Sequence, residues 1–169
     1  MTTGAAVQIV EYSFEVESHF LRKVFLPEVV EIEHIGSTAV PGMAAKPIID
    51  ILLGASSLGS IERQIAALTS HGYCYVAKFE DQLPKRRYFV RPAQGEARFH
   101  LHAVERWGQF WRDHIAFRDV LRTDSRVFDG YPTLKRNLAE SLKMDRDSYT
   151  EAKAPFIEAV INGQSRWAS

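Results

Sequence analysis

The chain has 169 residues, 46% hydrophobic and 25% charged, enough for one globular domain to bury a core without disulfide or metal staples. Its 21 lysines and arginines balance 21 aspartates and glutamates, so no global basic field favours tight nucleic-acid binding, although a local patch stays open. The single cysteine, Cys74, excludes an intrachain disulfide, and no apolar run approaches the ~20 residues of a membrane span, so a reducing, cytoplasmic setting is expected.

The opening MTTGAAVQIV carries no lysine or arginine and no long apolar stretch, so no secretory leader is expected. Residues 13–26 place Phe14, Phe20, Leu21, Val24 and Phe25 near one face of a helix. Residues 29–35 alternate as a strand, with Val30, Ile32 and His34 on one side and Val29, Glu31, Glu33 and Ile35 on the other. Gly36-Ser37 ends it, and residues 38–47, with Pro41-Gly42 and Pro47, read as turn. IIDILL at 48–53 reads as a central strand with one carboxylate in its middle. Residues 57–71 read as a helix burying Leu58, Ile61, Ile65 and Leu68, with Gly72 as its C-cap.

Strand character returns at 73–79, 86–91 and 97–104, the last two forming a hairpin about Gly95. Cys74, in the apolar run 73–76, reads as a small core residue. Helices are expected over 107–123, 132–143 and 146–162, with Pro132 in a first turn and Asp145 as an N-cap. Trp107, Phe110, Trp111 and Phe117 stand at helical spacing and read as core packing, while Arg118, Lys135 and Lys153 read as solvated helical cations. The whole is a single α+β (α/β) domain over 1–169, a mixed central sheet flanked by helices with a helical C-terminal third.

The chemistry concentrates in residues 34–54, HIGSTAVPGMAAKPIIDILLG. Gly36 and Ser37 can meet a phosphate with backbone amides and a hydroxyl, because glycine lets the backbone approach closely. Asp50 lies in an apolar strand, where an ionised carboxylate is costly unless it meets a cation, a donor or a site opening. His100 and His102 share one strand face by alternation and can both turn toward Asp50. Lys46 precedes the Asp50 strand, and alternation turns only one of Arg86 and Arg87 inward. These cations are candidate phosphate contacts; for the histidines, partly buried structural roles are the alternative.

The run HIGSTAVPGMAAKPIIDI resembles the signature of the GrpB family, and the likeness continues through Arg86-Arg87-Tyr88-Phe89, His100 to Glu105, Phe117-Arg118-Asp119, and Tyr149 to Ile157. The resemblance implies the nucleotidyltransferase fold of polymerase-β-like enzymes, and a likeness to the extra domain fused to some bacterial dephospho-coenzyme A kinases. In that superfamily the Gly-Ser turn grips a triphosphate, and carboxylates two residues apart hold two divalent metals. Gly36, Ser37 and Asp50 match; the second carboxylate position is Leu52, a departure. The resemblance thus implies a nucleotide or other small phosphate substrate and a divalent metal. Magnesium or manganese is expected, or zinc if Asp50, His100 and His102, with Glu33 or His34, form an altered set. Three functions follow: transfer of a nucleoside monophosphate to a small acceptor, a non-catalytic nucleotide or coenzyme A-related binding module, and a metal-dependent hydrolase or lyase using Asp50 and the histidines. Oligomeric state is not legible.

Overall fold

The computed structural model describes residues 4–43, 48–92 and 97–142. Lys46, the Gly95 turn, Asp145, the helix expected over 146–162, Lys153 and the side chain of Lys135 lie outside the described residues. By packing, the chain divides into two compact units, Met1–Arg112 and Asp113–Ser169.

The first unit is built on a five-stranded mixed sheet. Its strands are β1 (Glu31–Ile35), β2 (Ile48–Ala55), β3 (Cys74–Val76), β4 (Arg86–Arg91) and β5 (Arg98–Glu105), in the order β1-β2-β5-β4-β3. Only β2 and β5 run parallel; the other neighbours are antiparallel. The expected β4–β5 hairpin pairing is present, from Arg86 opposite Val104 to Arg91 opposite Phe99.

Residues facing each other in register share a face, and that rule divides the sheet chemically. On one face Ile32, Ile49, Ile51, Leu53, Ala55, Phe89, Phe99, Leu101 and Ala103 form the core. They are covered by Leu21 and Phe25 of α1 (Gly4–Phe25), Ile61 of α2 (Leu58–Glu62) and Leu68 of α3 (Ile65–Ser70). Each such aliphatic side chain, fully buried, contributes about 1.5–3 kcal/mol. On the other face lie Glu31, Glu33 and Ile35 of β1, Asp50, Leu52 and Gly54 of β2, His100 and His102 of β5, and Arg86 and Tyr88 of β4. The helices therefore cover the apolar face, and nearly all the unusual chemistry is on its reverse.

Several sequence expectations need correction. The helix expected over 13–26 begins at Gly4, because its first turns leave Val7, Ile9 and Tyr12 exposed and so show no buried stripe. The helix expected over 57–71 is two short ones. Ser57 caps α2 by accepting the Ser60 N–H, and near Arg63 and Gln64 the bonding shifts toward i−3 partners such as Ile61. Gly72, at φ 101°, closes α3 as expected, with Tyr73 N–H donating to Leu68 O and Gly72 N–H to Thr69 O. Cys74 is exposed rather than core: β3 is a three-residue edge strand that turns Tyr75 toward the core and Cys74 the other way. Trp107 is 57% exposed and stands in a left-handed turn (φ 65°), closed by Gly108 N–H to Glu105 O, ahead of α4 (Gln109–Thr123).

In the second unit, α5 runs Ser125–Leu142, so Pro132 is inside a helix instead of opening one. The start is fixed upstream by Asp124, whose Oδ1 accepts the Arg126 N–H at 3.0 Å. Phe117 and Tyr131 meet edge-on at 5.5 Å. Arg118, read from sequence as solvated, is buried and bonds Asp119 at 3.0 Å.

Candidate functional site

The turn after β1 sets the geometry. Gly36 takes φ 77° and ψ −175°, a conformation essentially closed to other residues, before the 3-10 turn Ser37–Ala39. A β-carbon there would lie 2.4 Å from Asp50 Oδ2 and 3.0 Å from its Cγ. The Asp50 carboxylate thus sits directly against the Gly36 backbone, and only glycine admits it. The turn is tied to the start of β2 by Thr38, whose hydroxyl donates to Ile48 O at 2.9 Å. With that proton committed, His34 Nε2–H donates to Thr38 Oγ1 at 2.9 Å, and the His34 ring stacks on Phe14 at 4.8 Å.

Asp50 is paired in register with His100, and Leu52 with His102. His102 Nε2 lies 3.3 Å and His100 Nδ1 3.8 Å from Asp50 Oδ1. Arg86 Nη1 donates to His102 Nδ1 at 3.3 Å, and Tyr88 Oη shares a hydrogen bond with His100 Nδ1 at 2.9 Å. His102 stacks near-parallel with two rings, Tyr88 at 5.1 Å and Phe110 at 6.3 Å, and the Arg86 guanidinium covers Tyr88 at 4.7 Å. Arg86, His100 and His102 are buried, whereas the Asp50 side chain keeps 25% exposure.

Of the residues singled out from sequence, Gly36, Asp50, His100, His102 and Arg86 converge, and half-buried Ser37 follows Gly36 directly. Arg87 does not join them: it points to the helix side and bonds Glu62 at 2.9 Å and Pro84 O at 2.9 Å. Glu33 shares the site face, opposite Leu52, and His34 pairs with Ile51 of the core face. Tyr88, Phe110 and Thr38 were missed as site residues. Alternation from Arg86 puts Tyr88 on the same face; Phe110 and Thr38 carry no comparable signal.

The donor set bears on the metal. Leu52, where the resemblance leads one to expect a second carboxylate, is fully buried hydrocarbon. Among the described residues, no three or more His, Cys, Asp and Glu side chains form a metal-holding group. A two-metal centre or a histidine-rich zinc site does not fit these residues. A single divalent cation, which characteristically takes one or two carboxylates and completes its shell from other oxygens, is the metal that one carboxylate, Asp50, suits.

A second polar cluster was not legible in the sequence. Glu17 of α1, buried, accepts from Tyr73 Oη at 2.7 Å and from Arg91 Nη2 at 2.9 Å. It fastens α1 to the sheet. Among the described residues, no helix is long and apolar enough to cross a membrane.

The family model described as GrpB protein matches residues 6–162. The glutamate-rich protein GrpB of Alkalihalophilus pseudofirmus is 37% identical over 88% of this chain and 87% of its own length. A dephospho-CoA kinase of Mycolicibacterium paratuberculosis is 28% identical over 82% of this chain, which spans only 40% of that protein. In structure, the conserved protein GrpB from Enterococcus faecalis matches with a TM-score of 0.73 at 31% identity, covering 91% of both chains. The chain belongs to the GrpB family.

Proposed function

We propose that the polar face of the sheet binds a nucleotide or related phosphate ester, with its phosphate at the Gly36-Ser37 turn and one divalent cation held by Asp50. The observation that carries this reading is the Asp50 carboxylate lying against Gly36, where a β-carbon would come within 2.4 Å. A carboxylate and a phosphate at such close quarters repel unless a cation or donor lies between them. The cation would neutralise phosphate charge. The chain's own part is to present the turn's backbone and the Ser37 hydroxyl to the ligand and to hold Asp50 in place through the His102 hydrogen bond. Buried Leu52 argues against two-metal transfer and for binding as the primary activity.

The test is equilibrium binding of a panel of nucleoside triphosphates and coenzyme A precursors, with and without magnesium or manganese, to the wild type and to Asp50→Asn. Metal-dependent binding that the variant loses while keeping its fold is the expected result. No binding by the wild-type protein across the panel refutes the reading. Nucleotidyl transfer to a small acceptor is the second reading, favoured by the Asp50 carboxylate, which, braced by the His102 N–H, is placed to accept an acceptor hydroxyl's proton. Asp50-dependent pyrophosphate release in the same incubations decides for it.

A further inference from the structure

Arg86 was a candidate phosphate contact in the sequence, and its position gives it a different task. A guanidinium has only N–H donors and no acceptor. Its Nη1 lies 3.3 Å from His102 Nδ1, so that ring nitrogen presents its lone pair. The ring proton is then on Nε2, which lies 3.3 Å from Asp50 Oδ1. The bonds run one way, from Arg86 to His102 to Asp50. The aromatic frame fixes the members: Arg86 covers the Tyr88 ring at 4.7 Å and faces Phe110 at 6.0 Å, and both rings stack with His102.

We infer that Arg86 is a positioning residue that fixes His102 as the Nε2–H tautomer, so that His102 holds the Asp50 carboxylate against the Gly36 turn as a hydrogen-bond donor. His102 is then neither a metal ligand nor a proton acceptor in this state, because one nitrogen accepts from Arg86 and the other carries its proton toward Asp50. The inference deepens the proposed phosphate site, and only its ligand-binding arm rests on that reading.

The tautomer is read directly by long-range ¹H–¹⁵N correlation of the imidazole in labelled wild-type protein, with His102 assigned by the loss of its signals in His102→Gln. A protonated-type Nε2 and a lone-pair-type Nδ1 are expected. Arg86→Lys, which also only donates, retains the pattern, whereas Arg86→Met, which cannot donate, moves His102 to Nδ1–H or to a mixture of tautomers. Magnesium–ATP affinity falls about ten- to hundred-fold in Arg86→Met, as expected for losing a charge-assisted hydrogen bond, and recovers at least partly in Arg86→Lys. A wild-type spectrum showing Nδ1–H or a doubly protonated ring overturns the inference whether or not either variant folds. An Arg86→Met protein that keeps both tautomer and affinity overturns it as well. If wild-type protein shows the expected tautomer but binds no nucleotide, the phosphate reading falls and the relay stands.

Discussion

Replacing Gly36 by alanine tests the turn and the carboxylate together. The backbone at φ 77° and ψ −175° is closed to L side chains, and holding alanine there costs about 1–3 kcal/mol. The new methyl would also sit 2.4 Å from Asp50 Oδ2, so the carboxylate must move away from it and from His102 Nε2. A hydrogen bond to a charged group contributes about 1.5–3 kcal/mol. The two effects together predict a loss of roughly 2.5–6 kcal/mol, a large share of the ~5–15 kcal/mol that stabilises a typical domain. The same substitution in an Asp50→Ala background meets no carboxylate, so only the backbone part, about 1–3 kcal/mol, remains. Urea denaturation of the four proteins of this cycle, at matched m-values, gives the coupling directly. If Gly36→Ala costs as much without Asp50 as with it, the carboxylate does not lie against the turn. If the single substitution costs under about 0.5 kcal/mol, the turn is not in a glycine-only conformation.

Other perturbations follow from specific contacts. Glu17→Gln removes one partner of a buried ion pair with Arg91 and should cost about 3 kcal/mol, while Tyr73→Phe costs only about 1 kcal/mol; equal effects in urea denaturation would deny Glu17 its ionic role. Gly54→Ala would bring a β-carbon 2.8 Å from Arg106 Cβ and 2.9 Å from the Trp111 ring. A loss of about 1–3 kcal/mol with altered tryptophan fluorescence is expected, and unchanged emission and stability would refute that packing. The Glu28 carboxyl is held below its ordinary 4.5: burial alone would raise it, but bonds from Ser56, with help from Ser60 and Arg106, outweigh that effect. Its stabilising contribution is therefore complete above the ordinary value and is lost as pH falls through the lower folded value. Glu28→Gln should flatten the acid side of the stability–pH profile, and parallel profiles for the two proteins would refute the assignment.

The placement of these side chains was legible where one periodicity governed a whole element. Alternation alone put His100 with His102 and separated Arg86 from Arg87, and the register then brought Asp50 to His100. Where two influences compete, sequence failed. Cys74 lies in an unbroken apolar run, yet the strand is an edge of three residues and alternation turns it outward. Trp107 has helical spacing to Trp111, but the Gly108 turn takes it off the helix. Pro132 looked like a helix start because proline is tolerated there, but Asp124 caps the helix a full two turns earlier. Glu17 could not be found at all, because its partners Tyr73 and Arg91 are 56 and 74 residues away.

The same reasoning bears on Leu52, the apolar neighbour of Asp50 on this face. Leu52 is in register with His102 on one side and Glu33 on the other, and it is fully buried. An acid at that buried position would set a second negative charge beside Asp50 on the same face, and burial would penalise it. The His102 N–H would then face two carboxylates and could satisfy only one. Leucine instead leaves Asp50 as the acceptor that the Nε2 of His102 faces, and Arg86 donates to its Nδ1. The apolar Leu52 and the hydrogen-bonded histidine are thus two parts of one arrangement. Behind the Gly36 turn, the Asp50 carboxylate is braced by a hydrogen-bonded histidine and flanked by a buried leucine.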